Sequence, residues 1–147
     1  MKVLIVEDNT HKLHRITTFL HKEIINIKIE TAASFTSGKK KAIENSYDFV
    51  ILDMSLPTYE KKVGESGGRF RTFGGEEIAR KIVKKTEIKF LFLTQYKDFS
   101  DSTKTLDFQS LKEELVSQFR ERCLGFIYYD STDSAWKNEI KEIIKNV

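Results

Sequence analysis

Three carboxylates follow two short apolar runs of the chain, and together they could bind a metal ion and take part in phosphoryl chemistry. Glu7 and Asp8 come directly after the run Val3–Val6, and Asp53 comes directly after Phe49–Leu52. Such runs are typical of strands buried on both faces of a parallel sheet. Ligands bind at the carboxyl edge of such sheets. If the two strands are neighbours, the three carboxylates meet at that edge.

Carboxylates that lie close together repel one another unless a cation joins them. An all-oxygen ligand set suits Mg²⁺, which keeps several of its waters and uses few protein carboxylates. A carboxylate can also act as a nucleophile toward phosphorus and form an aspartyl phosphate. The residues therefore predict a Mg²⁺-binding acidic cluster, with the hydroxyl of Thr94 nearby at the end of another apolar run, Ile88–Leu93.

Strand and helix patterns alternate five times along the chain, which favours a parallel sheet with helices on both faces. The second strand pattern alternates polar and apolar residues, which fits a sheet edge. We therefore expect a flavodoxin-like, doubly wound α/β fold with strand order 2-1-3-4-5, whose switch point lies between strands one and three. The predicted strands are Lys2–Val6, Ile27–Thr31, Tyr47–Asp53, Ile88–Thr94 and Phe126–Tyr129.

The helices are expected to begin after Asn9 or Thr10, after Ser34, at Glu76, after Asp107, and after Asp133 or Ser134. Ser, Asp and Asn are preferred residues at the N-terminal cap of a helix. The helix after Asp107 is expected to end at Gly125, because glycine commonly terminates helices. Cys123 then lies in a helical stretch, where a packing role is expected.

Two long polar segments, residues 58–75 and 96–107, interrupt this pattern. The first contains five of the seven glycines and directly follows Pro57, the only proline. Its glycines lack the Gly-Lys-Ser/Thr sequence of a nucleotide-triphosphate loop. We expect a single domain of residues 1–147 with two enlarged loops, the first being either a lid or partner-contact loop beside Asp53 or an idle surface loop.

Composition narrows the classes of function. The chain has 25 basic and 22 acidic residues, and a net charge of +3 is too balanced to argue for nucleic-acid binding. We see neither a signal peptide nor a stretch near the ~20 apolar residues of a membrane span. The single cysteine excludes an internal disulfide and is compatible with a reducing cytoplasm.

The segments Val3–Asn9, Asp48–Pro57 and Leu91–Thr94 together resemble the receiver domain of two-component response regulators. The shared features are a strand followed by an acidic pair, a strand ending in Asp with Pro four residues later, and a strand ending in Thr. They follow one another in the expected order over nearly the whole chain. The resemblance implies a cytoplasmic signalling module, rather than an enzyme, that takes part in a phosphorelay.

The same resemblance implies a role for each site residue and a set of partners. Asp53 would be the phosphoacceptor, and Mg²⁺ would be held by Asp53, Asp8, Glu7 and the backbone carbonyl of Ser55. Thr94 and Phe126 would form the switch. The partners would be a histidine kinase or phosphotransfer protein, a downstream effector protein and, in some signalling states, a second copy of the chain. No DNA-binding helix pair follows Val147, so we expect output through a protein partner or through a part of the protein outside this sequence.

One position departs from the family pattern. Receiver domains carry a lysine near the end of the fifth strand, usually followed by proline, whereas here Tyr129 and Asp130 occupy these positions. Lys97, three residues after Thr94, is the candidate substitute cation. Two alternatives stay open: a phosphorylation-independent pseudo-receiver that acts as a protein-interaction module, and a small Mg²⁺-dependent phosphohydrolase. The hydrolase would need a general acid near Asp53, for which Ser55 is poorly suited.

Overall fold

The computed structural model describes all 147 residues and shows helices on both faces of a five-stranded parallel sheet. The strands are β1 (Lys2–Val6), β2 (Lys28–Ala32), β3 (Phe49–Leu52), β4 (Lys89–Thr94) and β5 (Cys123–Tyr128). The helices are α1 (Thr10–Glu23), α2 (Phe35–Glu44), α3 (Gly74–Lys85), α4 (Phe108–Phe119) and α5 (Ala135–Ile144). The strand order is β2-β1-β3-β4-β5, which confirms the predicted flavodoxin-like fold and the order 2-1-3-4-5.

Alternate residues of the central strands face two separate apolar layers, as the doubly buried runs predict. In β1, Leu4 and Val6 pack into a layer shared with α2, α3 and α4. Val3 and Ile5 face the opposite layer, which includes residues of α1 and α5. The sheet is thus covered on both sides, and its carboxyl edge is the place where polar groups meet. No helix is long and apolar enough to cross a membrane.

Three of the predicted helix caps are present. The side chains of Asn9, Ser34 and Asp107 each accept a hydrogen bond from a backbone N–H three residues later, at 3.0, 3.1 and 2.7 Å. These bonds satisfy N–H groups that a helix start otherwise leaves free. Ser134 precedes α5, although its side chain makes no capping bond there.

The prediction that the fourth helix runs to Gly125 was wrong. Helix α4 ends at Phe119 and a 3₁₀ turn follows, so Cys123 and Gly125 both lie in β5. The helix ends without glycine, because Arg120 itself takes a positive φ of 51°. A Cβ at Gly125 would lie 2.9 Å from a side-chain carbon of Ile143, so glycine allows α5 to pack closely on the strand. The buried Cys123 thiol has its pKa raised to about 11 by burial, in keeping with a packing role.

The two polar segments each hold a short antiparallel hairpin. We name hairpin A the segment 56–71, in which Leu56–Pro57 pairs with Phe70–Arg71. Hairpin B is the segment 98–107, in which Asp98–Ser100 pairs with Thr105–Asp107. Hairpin A follows β3 and hairpin B follows β4, so both arise at the carboxyl edge of the sheet.

The residues directly after hairpin A contact hairpin B, and both segments contribute to the core. Phe73 and Phe99 are buried, with ring centroids 6.4 Å apart. The hydroxyl of Thr72 donates a hydrogen bond to the carbonyl of Ser100 at 3.0 Å. Both phenylalanines lie in the segments that we predict to be polar loops, yet they fill part of the main apolar layer.

Candidate functional site

Neighbouring strands bring the three predicted carboxylates together. Strands β1 and β3 pair in parallel with Val6 opposite Leu52, so the residues that follow each strand meet at the carboxyl edge. One carboxylate oxygen from each of Glu7, Asp8 and Asp53 lies within 4.8 Å of the others. Glu7 and Asp53 are buried, with 2% and 1% of their surface exposed, while Asp8 is half-buried.

The two oxygens of Asp53 have different surroundings. Oδ1 accepts a hydrogen bond from the backbone N–H of Met54 at 2.8 Å. Oδ2 is buried and has no hydrogen-bond partner in the protein. Because an unpaired buried carboxylate oxygen is costly, such an atom calls for a ligand.

Gly75 fixes the position of α3 against this aspartate. A Cβ at Gly75 would lie 2.1 Å from the backbone oxygen of Asp53, so no other residue fits without moving the chain. The N–H of Gly75 donates to the carbonyl of Met54 at 2.8 Å. The first turn of α3 therefore holds the backbone of the segment that carries Asp53.

A lysine from α1 reaches into the cluster. Lys12 lies in the first turn of α1, and only 1% of its surface is exposed. Its Nζ lies 2.5 Å from Glu7 Oε1 and 3.5 Å from Asp53 Oδ1. It also donates to the carbonyl of Leu93 at 2.6 Å and to Oε1 of Gln95 at 2.8 Å. This ammonium group is the buried cation among the three carboxylates.

Three carboxylates meet at the buried ammonium group of Lys12, and the other cation paired with them is the exposed Lys61, 3.8 Å from Asp8, so the carboxylates outnumber their cations. Burial raises the pKa of Glu7 from 4.5 to about 7; the Asp53 charge adds to the rise, and Lys12 opposes it. Burial also raises the pKa of Asp53, and burial followed by the charge of Glu7 raises the pKa of Asp8. The pKa of all three carboxyl groups is thus raised, as expected where buried carboxylates outnumber the cations paired with them.

These features fit a hard divalent cation. All the available ligands are oxygens, Oδ2 of Asp53 is free, and the carboxylates outnumber the cations paired with them. Mg²⁺ prefers a few carboxylates together with water. Asp8 and Asp53 are the carboxylates available to it, because Oε1 of Glu7 is engaged by Lys12.

The two predicted switch residues lie at the adjoining strands. Thr94 ends β4 and is fully buried, and its hydroxyl oxygen accepts a hydrogen bond from the N–H of Tyr96 at 3.3 Å. Phe126 is buried in β5, with ring centroids 5.5 Å from Phe92 and 4.9 Å from Phe108. Thr94 is thus at the same sheet edge as Asp53, whereas Phe126 belongs to the apolar layer behind it.

We compared the sequence and the fold of the chain with those of known proteins. No protein-family model matches the chain. The Detocs response regulatory protein DtcB of Enterobacter cloacae is 25% identical over 143 residues, which cover 95% of each chain. The receiver domain of HemR from Leptospira biflexa superposes with a TM-score of 0.64 at 22% identity, covering 97% of this chain and 93% of that one. The chain is thus similar over nearly its whole length to response regulatory proteins, and it has the fold of receiver domains.

A second solved structure with a similar fold contains Mg²⁺. The response regulator TrrA from Thermotoga maritima, solved in complex with Mg²⁺-BeF, has a TM-score of 0.56 and is 22% identical, with 97% of each chain covered. The likeness shows that the two chains share a fold. The acidic cluster of this chain offers only oxygen ligands, which suit a hard divalent cation.

An aromatic ring, that of Tyr129, stands where the resemblance to receiver domains predicts a lysine. Tyr129 follows β5 directly and is buried, and its N–H donates to the carbonyl of Thr94 at 2.8 Å. Arg15 donates to the hydroxyl of Tyr129 at 3.0 Å. The Tyr129 ring packs at a tilt against Trp136, with ring centroids 5.2 Å apart. The Nζ of Lys12 lies 5.6 Å from the centre of the Tyr129 ring.

The structure does not bring Lys97, the candidate substitute cation, to the carboxylates. Its Nζ lies over the ring of Tyr128 at 5.1 Å, and it forms no salt bridge with Glu7, Asp8 or Asp53. The buried cation in the cluster is Lys12, which was not predicted as a site residue. Ser55, two residues after Asp53, is buried and its hydroxyl donates to the carbonyl of Thr72 at 2.9 Å.

A signal for Lys12 does exist in the sequence. Lys12, Ile16 and Leu20 are spaced four residues apart, and all three are buried on one face of α1. A lysine on an apolar helical stripe is unusual, because lysine is almost never fully buried without a partner. Gly75 was counted as part of a loop, and its role emerges only from the contact with Asp53.

Proposed function

We propose that this receiver domain accepts a phosphoryl group on Asp53 from a histidine kinase or a phosphotransfer protein in the cytoplasm, and that it passes the signal to an effector protein. The observation that carries the proposal is the buried, unpartnered Oδ2 of Asp53 at the carboxyl edge of the sheet. A carboxylate oxygen whose lone pairs are free is available as a nucleophile. The carboxylates around it supply the negative charge that a metal ion requires, and the metal ion in turn offsets the negative charge of a phosphoryl group.

The residues of the chain orient the reacting aspartate. Met54 N–H holds Oδ1, which leaves Oδ2 to form the new oxygen–phosphorus bond. As that bond forms, the phosphorus–nitrogen bond of a phosphohistidine breaks, and the leaving imidazole takes the electron pair. We propose that Asp8, Asp53 and the carbonyl of Ser55 hold Mg²⁺, with Glu7 close by. When bound, Mg²⁺ offsets negative charge on the phosphoryl oxygens.

Thr94 is the residue we propose as the switch. Its hydroxyl now accepts from Tyr96 N–H, at the start of the segment that leads to hairpin B. A hydroxyl can instead donate to a phosphoryl oxygen on Asp53, and this exchange would move the segment after β4. Phe126 lies behind this segment, in contact with Phe108 of α4, and we propose that it repacks as the segment moves.

The two alternative functions lack a supporting observation. A phosphohydrolase needs a general acid close to Asp53, but the hydroxyl of Ser55 is engaged with the carbonyl of Thr72. A pseudo-receiver would not use the free oxygen of Asp53 at all. Phosphorylation of Asp53 separates the proposed function from this second alternative.

The test is labelling with radioactive acetyl phosphate in the presence of Mg²⁺. We expect about one phosphoryl group per wild-type chain, labile in base as acyl phosphates are, and none on Asp53→Asn. The matched control is Asp98→Asn, which removes an exposed carboxylate in hairpin B and should be labelled normally. Equal labelling of Asp53→Asn would overturn the assignment. So would a wild-type protein that takes label neither from acetyl phosphate nor from a phosphorylated histidine donor.

A further inference from the structure

A receiver domain with tyrosine at the lysine position still needs a cation for the phosphoryl group. Lys12 lies in the cluster, but it comes from α1 rather than from the end of β5. We propose that Lys12 is the residue that contacts the phosphoryl group on Asp53, in place of the lysine missing at Tyr129. This inference rests on the proposed phosphorylation of Asp53.

The contacts of Lys12 hold its ammonium group at the reacting carboxylate. Two of its N–H groups donate to neutral acceptors, the carbonyl of Leu93 and the side chain of Gln95. The third faces the carboxylates, 2.5 Å from Glu7 and 3.5 Å from Asp53. The neutral acceptors fix the ammonium group in place, and its remaining side faces Glu7, with Asp53 next to it. A phosphoryl group on this aspartate adds its oxygens next to that charge.

The other cations near the site have different partners. Arg15 donates to the hydroxyl of Tyr129 and to the carbonyl of Ser131. Lys97 lies over the ring of Tyr128. Lys61 is exposed and lies 3.8 Å from Asp8, at the outer side of the cluster. Lys12 is therefore the cation that is both buried and directed at Asp53.

Phosphorylation increases the need for this charge. A phosphoryl group carries nearly two negative charges at neutral pH, whereas the carboxylate that it modifies carried one. The carboxylates of the cluster already outnumber its cations, so the product is more negative still. A charge-assisted hydrogen bond from a buried ammonium group is the strongest stabilisation that the chain itself can give.

The same lysine also connects Asp53 with the proposed switch. Its two neutral acceptors, Leu93 and Gln95, lie on either side of Thr94. If the ammonium group moves toward a phosphoryl oxygen, it pulls on both neighbours of Thr94. Lys12 thus gives the segment after β4 a second contact with the phosphorylated aspartate, besides the threonine hydroxyl.

The test compares Lys12→Met with the matched control Lys97→Met. We expect Lys12→Met to lower the rate of labelling by acetyl phosphate by about 10- to 100-fold, as expected for loss of a hydrogen bond to a charged group. In contrast, its affinity for Mg²⁺, measured by calorimetry, should rise by about tenfold, because one positive charge leaves the metal site. Lys97→Met should change neither quantity. A merely structural role for Lys12 would lower both or leave both unchanged.

A double variant tests the replacement directly. Lys12→Met combined with Tyr129→Lys places a lysine at the family position, and it should recover at least a tenfold part of the lost labelling rate. Circular dichroism checks that each variant is folded. If Lys12→Met does not fold, a crystal structure of the wild-type protein with Mg²⁺ and beryllium fluoride decides. Nζ of Lys12 should then lie within about 3.2 Å of a fluorine atom, and an Nζ without such a contact would overturn the proposal.

The outcomes separate the two proposals. A folded Lys12→Met that is labelled as fast as wild type overturns the role of the lysine and leaves the phosphorylation of Asp53 standing. A wild-type protein that takes no label from either donor overturns the phosphorylation of Asp53, and the role of Lys12 falls with it. Loss of labelling in Lys12→Met together with weaker Mg²⁺ binding assigns the lysine to the structure of the cluster alone.

Discussion

Glu76 and Asp53 are both buried carboxylates with 1% of their surface exposed, yet their surroundings differ in charge. Both oxygens of Glu76 have a cationic partner: Arg80 at 2.6 Å and Lys104 at 3.5 Å. Asp53 shares the ammonium group of Lys12 with Glu7, and one of its oxygens has no partner. Glu76 is balanced by its neighbours, whereas Asp53 is left with charge that only a ligand can neutralise. Unbalanced burial is what distinguishes the candidate site from a structural ion pair.

The largest effect on stability is expected where the balance is broken. Glu76→Gln should lower the free energy of unfolding by about 2 kcal/mol, because Arg80 and Lys104 lose a buried charged partner. Urea denaturation measures this. The control is Glu77→Gln next to it, whose pair with Arg71 at 3.3 Å is more exposed and should contribute under about 1 kcal/mol. Equal losses in the two variants would contradict the comparison.

Mg²⁺ should restore the balance at the other site. At a Mg²⁺ concentration ten times the dissociation constant, we expect the free energy of unfolding of the wild-type protein to rise by about 1.4 kcal/mol. Asp8→Ala should lose most of this gain, because it removes a ligand, whereas Glu76→Gln should keep it. Urea denaturation with and without Mg²⁺ gives the result. A full gain in Asp8→Ala would show that the metal binds elsewhere.

Without Mg²⁺, neutralising Asp53 should stabilise the fold, which is opposite in sign to the effect at Glu76. Asp53→Asn removes one of three carboxylates that repel one another, and burial already raises the pKa of this group. We expect the free energy of unfolding to rise, because the charged form of this buried carboxyl group is disfavoured in the folded state. A loss of stability in the metal-free variant would mean that Lys12 already balances the cluster.

The smallest effect is expected at the exposed rim of the cluster. Lys61, at the tip of hairpin A, lies 3.8 Å from Asp8, and more than half of its side chain is exposed. Lys61→Ala should change the free energy of unfolding by less than about 0.5 kcal/mol, because exposed ion pairs contribute little. Urea denaturation of this variant beside Lys62→Ala measures the difference. A loss above 1 kcal/mol would place Lys61 among the structural partners of the cluster.

The fold and the acidic cluster could be predicted because both depend on local patterns. The strand Lys2–Val6 was predicted with its observed bounds, since a run of apolar residues ends abruptly at two acids. The edge position of the second strand follows from its alternating residues, and with it the strand order. Once the order is known, the meeting of Glu7, Asp8 and Asp53 follows from geometry alone.

What could not be predicted depends on contacts between distant residues. Lys12 bonds to the carbonyl of Leu93, 81 positions away, and no local pattern states which strand end a helical lysine will face. Phe73 and Phe99 are isolated aromatic residues in polar segments, so their burial against one another had no periodic signal. Helix α4 ended early because Arg120 accepts a backbone conformation that glycine more often takes.

The stacking of Tyr129 on Trp136 has a consequence for spectroscopy. Trp136 is the single tryptophan, is fully buried, and its indole N–H has no hydrogen-bond partner. Indole emission responds to nearby charge and polarity, so the folded chain should fluoresce at shorter wavelength than the unfolded one. The centre of the Tyr129 ring lies 5.2 Å from the ring centre of this indole and 5.6 Å from Nζ of Lys12. We therefore expect the fluorescence of Trp136 to change when Mg²⁺ or a phosphoryl group binds at the acidic cluster, so that binding can be followed without an added dye.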